Sequence, residues 1–336
     1  MYISAPTLDD LLRRVYEKLL KIKNRINPTK GPATELSGVL LKIDNPRSRL
    51  SRTEKKGTLF SCLGELLWYL AGSNNVEFIS YYLPHYKKCS DDGKTIYGGY
   101  GHRMCSKKGI HQIENIINLL KKKNESRQAV IQLFDASDIL KFHKDIPCTC
   151  TLQFMIRQRR LHMFTNMRSN DAFRGLPHDI FAFTMLQEII ARTLGVELGS
   201  YKHAVGSLHL YDENRDSAKQ FLDEGYQSKV QMPPMPVGDP WPSISLLLAA
   251  ESKIRRGKET NFNTLKIDPY WADLVRILQI FQYTNNIDKI SKVPNIKRKM
   301  HSNIYTPYIN KRHAAKLAKN SVPEQKDLFI DAPQGN

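Results

Sequence analysis

The stretch Ile146-Pro147-Cys148-Thr149-Cys150-Thr151-Leu152-Gln153-Phe154 is followed, twenty positions after its first cysteine, by Arg168-Ser169-Asn170-Asp171. Proline before Cys148 and threonine after it suit the start of a strand at a cavity wall. Residues 149–156 and 161–167 read as two strands, and Arg157-Gln158-Arg159-Arg160 between them reads as a hairpin turn. The tetrad supplies a cation, a hydroxyl, an amide and a carboxylate. A thiol close in sequence to such a set points to covalent chemistry on a nucleotide. A buried structural thiol is the competing reading of Cys148 taken alone. Arg127 and Arg168, if close to it, would lower its pKa.

Working outward, residues 8–23 carry Leu8, Leu11, Leu12, Val15, Leu19 and Ile22 at helical spacing. Residues 36–43 read as a strand, 58–71 as an apolar helix, 84–109 as a loop rich in Gly, Lys and Ser, and 110–123 as a helix. A strand is expected at 128–134. A strongly apolar helix follows at 178–194, with Gly195 placed to cap it. Strand-like residues 200–210 lead to a short helix near Tyr211. Prolines at 233, 234, 236, 240 and 242 then break the chain before a helix at 267–284 and a basic, Asn-rich tail from about 291. This pattern predicts one α+β domain, residues 1–245, with a C-terminal extension, 246–336, helical and then basic.

The chain has 336 residues, 41% of them hydrophobic, enough for a substantial core. No apolar run approaches the roughly 18 residues of a membrane span, and Met1-Tyr2-Ile3-Ser4-Ala5-Pro6 lacks a signal-peptide pattern. A cytoplasmic protein is expected. The five cysteines include no CxxC pair and no completing histidine pattern, so neither a disulfide framework nor a metal site is expected. The net charge of +18 fits a nucleic-acid binder or an enzyme for anionic substrates, and charge alone does not separate the two.

Pro147-Cys148, Gln153-Phe154, Arg168-Ser169-Asn170-Asp171, Gly175-Leu176-Pro177 and His209-Leu210-Tyr211 occur in order. Glu65-Leu66-Leu67-Trp68 and Tyr100-Gly101 lie upstream of them. In order and spacing this set resembles the thymidylate synthase family, over roughly residues 30 to 225. The resemblance implies a mixed sheet packed with helices and a sheet-mediated homodimer. It also implies 5,10-methylenetetrahydrofolate as one-carbon co-substrate, with no metal. Cys148 would be the thiolate that adds to C6 of a pyrimidine, which makes C5 nucleophilic. Glu65 would relay protons through water, supported by Tyr100. Arg168 and Ser169 would hold the phosphate, and Arg127 would reach across the dimer into the partner's site. Lys30 is a further phosphate candidate, with Arg47, Arg49 and Arg52 as rivals. Asp171 and Gly175 fall at the folate, and His209 and Tyr211 at the sugar 3′-hydroxyl.

Two departures shape the expected activity. Asp179 stands where the family's deoxyuridylate enzymes carry asparagine. A protonated carboxyl can donate to cytosine N3 and accept from its amino group, and an ionised one can pair with a protonated N3, whereas uracil presents the reverse edge. The competing reading of Asp179 is a helix-N-terminal acid favoured by the dipole. The second departure is the absence of the family's tail and indole-rich wall. The chain ends Leu328-Phe329-Ile330-Asp331-Ala332-Pro333-Gln334-Gly335-Asn336, and Tyr81, Tyr82, His85 and Tyr86 stand where relatives have tryptophans. A less shielded intermediate favours water over hydride. The expectation is therefore folate-dependent hydroxymethylation of dCMP or CMP. C5-methylation of deoxycytidylate or deoxyuridylate is the alternative within the class. A non-catalytic nucleic-acid binder on the same fold is the alternative outside it. Val205-Gly206-Ser207 also departs from the family's Gly-Gly-Asp.

Overall fold

A computed structural model describes residues 1–258 and 266–321. Its centre is a six-stranded mixed sheet, ordered β1-β2-β6-β5-β4-β3. The strands are β1 (Tyr2–Ala5), β2 (Ala33–Ile43), β3 (Val130–Gln132), β4 (Thr149–Arg157), β5 (Arg160–Asp171) and β6 (Glu197–Tyr211). The β4–β5 hairpin pairs Arg157 with Arg160, and its turn residues Gln158 and Arg159 both take positive φ, the twist a two-residue hairpin needs. β5 and β6 run parallel, joined by α6 (Leu176–Thr193), which Gly195 (φ 65°) ends as expected.

The sheet is kinked at register shifts between Thr149 and Thr151 and between Leu161 and Met163. Buried Gln187 of α6 fills the second irregularity, donating to the carbonyl of Leu161 at 2.8 Å. Such bulges turn strand ends and re-aim side chains. Here they lie on the strands that carry Cys148 and the Arg168–Asp171 tetrad.

α6 is buried nearly all round, from Leu176 through Ala191, and so is α2 (Leu59–Leu70) from Leu59 to Tyr69. Helices apolar on every side belong in a core, and these two pack on each other. α1 (Leu8–Lys21) is amphipathic, capped by Thr7, and turns Leu8, Leu11, Leu12, Val15 and Leu19 inward.

The sheet's other face stays open. Leu152, Phe154 and Ile156 are buried, while the alternating Thr151, Gln153 and Met155 are only partly covered. Phe164 and His162 of β5 share that half-covered state.

Several elements differ from expectation. Residues 84–109 contain a 3-10 helix, Pro84–Cys89, and α4 (Tyr100–Cys105). They are too short to show a period, and α4 depends on Gly101, where an added Cβ would lie 2.7 Å from the Trp68 carbonyl of α2. β1, α3 (Val76–Tyr82) and α8 (Trp241–Arg255) were not expected either. The remaining expected helices are α5 (Gln112–Lys122), α7 (Arg215–Asp223) and α9 (Pro269–Thr284). The expected boundary at 245 falls inside α8. The supposed basic tail includes α10 (Val293–Arg298) and α11 (Thr306–Ser321). α11 is seated on the core: Tyr308 donates to the Ser51 carbonyl at 2.8 Å, and Arg312 lies 4.1 Å from the Phe281 ring centroid. Lys311 pairs with Glu54, so part of the basic charge is used internally. Residues 328–336, whose sequence was weighed for a shielding tail, lie outside the described residues.

Candidate active site

Cys148 lies just before β4, half-buried, where β4 and β5 come together. Arg168 holds that segment from the neighbouring strand. Its backbone N–H donates to the Cys148 carbonyl (2.9 Å), its Nε to the Pro147 carbonyl (3.0 Å), and its Nη2 to the Ile146 carbonyl (3.3 Å). The same Nη2 stands 3.7 Å from the sulfur. Arg168 and Lys30 favour the thiolate, but burial, with Asp145 and Asp179 nearby, outweighs them and pushes the thiol up to about 11. The expected lowering by arginine is present as one influence and loses to desolvation. Arg127 is exposed and is not among the charges acting on the sulfur. Its carbonyl accepts from Gln153 at 2.9 Å.

Glu65, 6% exposed, enters the same region from α2. Tyr69 (3.0 Å) and Tyr86 (2.9 Å) both donate to its Oε1. Burial raises its pKa to about 7 against those two hydrogen bonds. A carboxyl poised there both gives and takes protons at neutral pH. Tyr100 is fixed by accepting from the backbone and side chain of Thr149, both at 3.0 Å, and its ring stacks on Phe183 of α6.

Asp179 stands in the first turn of α6, 9% exposed. Burial, with Glu65 and Asp171 adding to it, raises its pKa well above the usual carboxylate range. Asn170 donates to its Oδ2 at 2.5 Å. A helix-N-terminal acid held by the dipole would be shifted the other way, so the dipole is not the governing influence here.

Asp171 closes an Asx turn, with Oδ1 accepting from Phe173 (2.8 Å) and Arg174 (2.9 Å). Gly175 sits at the N-cap of α6, where a Cβ would press on the Asp171 carbonyl at 3.2 Å and the Asn170 amide at 3.3 Å. Ser169 pairs with Ser207 across β5 and β6, and Ser207 donates to Glu35. At Gly206 a Cβ would lie 2.8 Å from the Arg168 carbonyl, so a bare residue is required there. His209 and Tyr211 converge as the i, i+2 spacing predicts, with ring centroids 4.8 Å apart. Asp171 and Cys148 are among the charges acting on Tyr211. Lys30 is exposed on a turn and acts on both Cys148 and Asp145. Of its rivals, Arg49 is buried against Glu188, and Arg52 donates to the Ile304 carbonyl. Neither faces the thiol.

Three participants carried no clear sequence signal. Tyr86 and Tyr69 hold Glu65, and Asp145 joins the group around Cys148. Among the described residues no cluster of three or more His, Cys, Asp or Glu is arranged to hold a metal ion, and no helix is long and apolar enough to cross a membrane.

The thymidylate synthase family model matches residues 7–245, the stretch that carries the kinked mixed sheet, the thiol loop at the head of β4 and the acids of α2 and α6. The chain belongs to the thymidylate synthase family. Its relatives include the deoxyuridylate hydroxymethyltransferase of Delftia phage PhiW-14, 31% identical over 206 residues, 57% of each chain. The deoxyuridylate hydroxymethyltransferase of Pseudomonas phage M6 is 35% identical over 163 residues, 48% of this chain and 46% of its own. The thymidylate synthase of Buchnera aphidicola (strain APS) is 28% identical over 214 residues, 62% of this chain and 81% of its own. The chain thus spans about half the length of the two phage relatives.

Proposed function

We propose that this protein transfers the one-carbon unit of 5,10-methylenetetrahydrofolate to C5 of a cytidine monophosphate, dCMP in first place and CMP in second, and that the product is the 5-hydroxymethyl nucleotide. The observation that carries the base assignment is the buried Asp179, whose burial and proximity to Glu65 favour the protonated carboxyl. A neutral carboxyl donates to N3 and accepts from the 4-amino group, matching cytosine on both positions. Hydroxymethylation is supported by the names of both phage relatives.

In this reading Arg168, Ser169 and Lys30 neutralise the phosphate, and His209 with Tyr211 orients the sugar. Cys148 forms a bond to C6, which places electron density on C5 for attack on the one-carbon unit. The resting thiol is mostly protonated, so nucleotide binding and Arg168 must draw out the thiolate. Glu65 exchanges protons with the base edge, held by Tyr69 and Tyr86. Asp171 and the bare N-cap at Gly175 offer a carboxylate and space to the folate. A homodimer is supported by the half-covered face of β4 and β5, and by Arg127, which stands exposed. Within the extension, α9 serves as a buttress for α2 in this reading.

A second reading has one specific support. The phage relatives are deoxyuridylate hydroxymethyltransferases by name, and the same site with dUMP would give 5-hydroxymethyl-dUMP. The two readings part when the protein is incubated with methylenetetrahydrofolate and dCMP, CMP or dUMP in turn, with mass analysis of each product. Hydroxymethylated dCMP supports the first reading. Turnover of dUMP alone overturns the base assignment.

A further inference from the structure

We propose that Asp145 holds and deprotonates the water that adds to the one-carbon unit, and so commits the product to hydroxymethyl instead of methyl. The inference rests on the functional reading above and names the residue that decides its outcome.

Asp145 lies three positions before Cys148, in the segment that Arg168 clamps through the carbonyls of Ile146 and Pro147. The backbone that carries its carboxyl is thereby held beside the nucleophile. A Cβ built on Gly98 would fall 2.5 Å from Asp145 Oδ2. Only glycine at 98, two residues before Tyr100, leaves the carboxyl its place. From the other side its charge acts on Glu65 and Tyr86, which are hydrogen-bonded to each other at 2.9 Å, and on the sulfur of Cys148. The carboxyl thus lies against Gly98, near enough for its charge to be felt by Glu65, Tyr86 and the thiol.

Asp145 differs from the two other acids near the thiol, Glu65 and Asp179. Glu65 is occupied by two tyrosine hydroxyls, and Asp179 by the Asn170 amide. Among the described residues no side-chain or backbone donor is hydrogen-bonded to Asp145, so its lone pairs are open to water. Lys30, Arg168 and Arg103 favour its anion, while burial and Asp91 oppose it. The balance leaves it near 6, ionised at neutral pH yet more basic than an exposed aspartate.

The step balances without an oxidant. After transfer, loss of the C5 proton and departure of tetrahydrofolate leave a methylene double-bonded to C5. The water oxygen bonds to that methylene carbon while its proton passes to the Asp145 carboxylate. The C5–methylene π pair moves into the ring toward C4. It then returns to form C5=C6, and the Cys148 sulfur leaves C6 as thiolate. Tetrahydrofolate departs without giving up a hydride.

The test compares wild type with Asp145→Asn and Asp145→Glu, using C5-tritiated dCMP and methylenetetrahydrofolate. Tritium release reports every step before hydration, and mass analysis reports the product. With enzyme in excess over nucleotide, so that each site turns over once, tritium release in Asp145→Asn stays within about threefold of wild type. The ratio of hydroxymethyl product to tritium released falls about a hundredfold, and added 2-mercaptoethanol captures the methylene as a thioether. Asp145→Glu restores most of the ratio, and in that variant the ratio of product to tritium declines as pH falls through the carboxyl's titration. Product keeping pace with tritium in Asp145→Asn overturns the proposal. So does equal loss of both signals that Asp145→Glu fails to repair. A wild type yielding 5-methyl-dCMP overturns the role of Asp145 while leaving one-carbon transfer intact. A wild type releasing no tritium from dCMP, CMP or dUMP fells the functional reading itself, and this inference with it.

Discussion

Asn170 Nδ2 donates to Oδ2 of Asp179 at 2.5 Å, at a place where both residues are buried. The contact marks Oδ2 as the accepting oxygen of a carboxyl whose pKa burial drives upward. The proton then belongs on Oδ1, and a neutral acid so arranged presents one donor and one acceptor to a base. Replacing Asp179 with Asn removes the titratable donor. The ratio of kcat/KM for dCMP over dUMP should swing toward dUMP by about a thousandfold. Steady-state kinetics with both nucleotides checks this, and an unchanged ratio contradicts it.

The thiol of Cys148, pushed up to about 11, is held in its place by Arg168. Cys148→Ala should lower C5 tritium release by at least about a thousandfold while leaving nucleotide binding by calorimetry within a few-fold. Arg168→Gln removes the main stabiliser of the thiolate. Alkylation of Cys148 by iodoacetamide at pH 8 should slow in that variant, and dCMP affinity should weaken.

Glu65 gives a signed pH dependence. Burial raises its pKa from 4.5 to about 7, so its neutral form is the one the fold favours. The stability it contributes is fully present below 4.5 and lost as pH rises through about 7. Gln in its place accepts the same two tyrosine hydrogen bonds without ionising. Between pH 4 and pH 8 the unfolding free energy of Glu65→Gln should gain about 3 kcal/mol on the parent, reduced by any structural relaxation. Urea titrations at the two pH values measure it, and a pH-independent difference contradicts it. The same variant should lose the limb of tritium release that titrates near neutral pH.

Phe281 of α9 packs on Phe60 (6.0 Å), Tyr81 (5.4 Å) and Tyr82 (5.1 Å), and so props α2, the helix that carries Glu65. Phe281→Ala should cost about 3–5 kcal/mol of stability, read by urea denaturation. A cost under about 1 kcal/mol would mean that the extension is not a buttress.

How much of this was legible in the sequence follows from the length of each signal. The β4–β5 hairpin and α6 announce themselves because alternation and apolar runs persist for nine or more residues. α4, with six residues, and β1, with four, are too short to carry a period. α11 is hidden by its Lys, Asn and Arg content: it holds on through Tyr308, Ile309 and Arg312, a sparse set of anchors. In the candidate site, Cys148, Arg168 and Glu65 stand out in the sequence because the family resemblance gives them roles, and Asp179 because it departs from the family's asparagine. Asp145 does not. It lies in a loop beside Lys144, without a pattern, and only the packing of Gly98 and the Arg168 clamp on its segment bring it to notice.

The most direct test of the covalent mechanism uses 5-fluoro-dCMP with methylenetetrahydrofolate, followed by proteolysis and peptide mass analysis. Fluorine at C5 cannot be removed as a proton is, so the adduct is arrested with the enzyme still attached. A nucleotide–folate adduct is expected on the peptide containing Cys148, formed in preference to that from 5-fluoro-dUMP. An unmodified Cys148 peptide, or an adduct formed with 5-fluoro-dUMP alone, would contradict it.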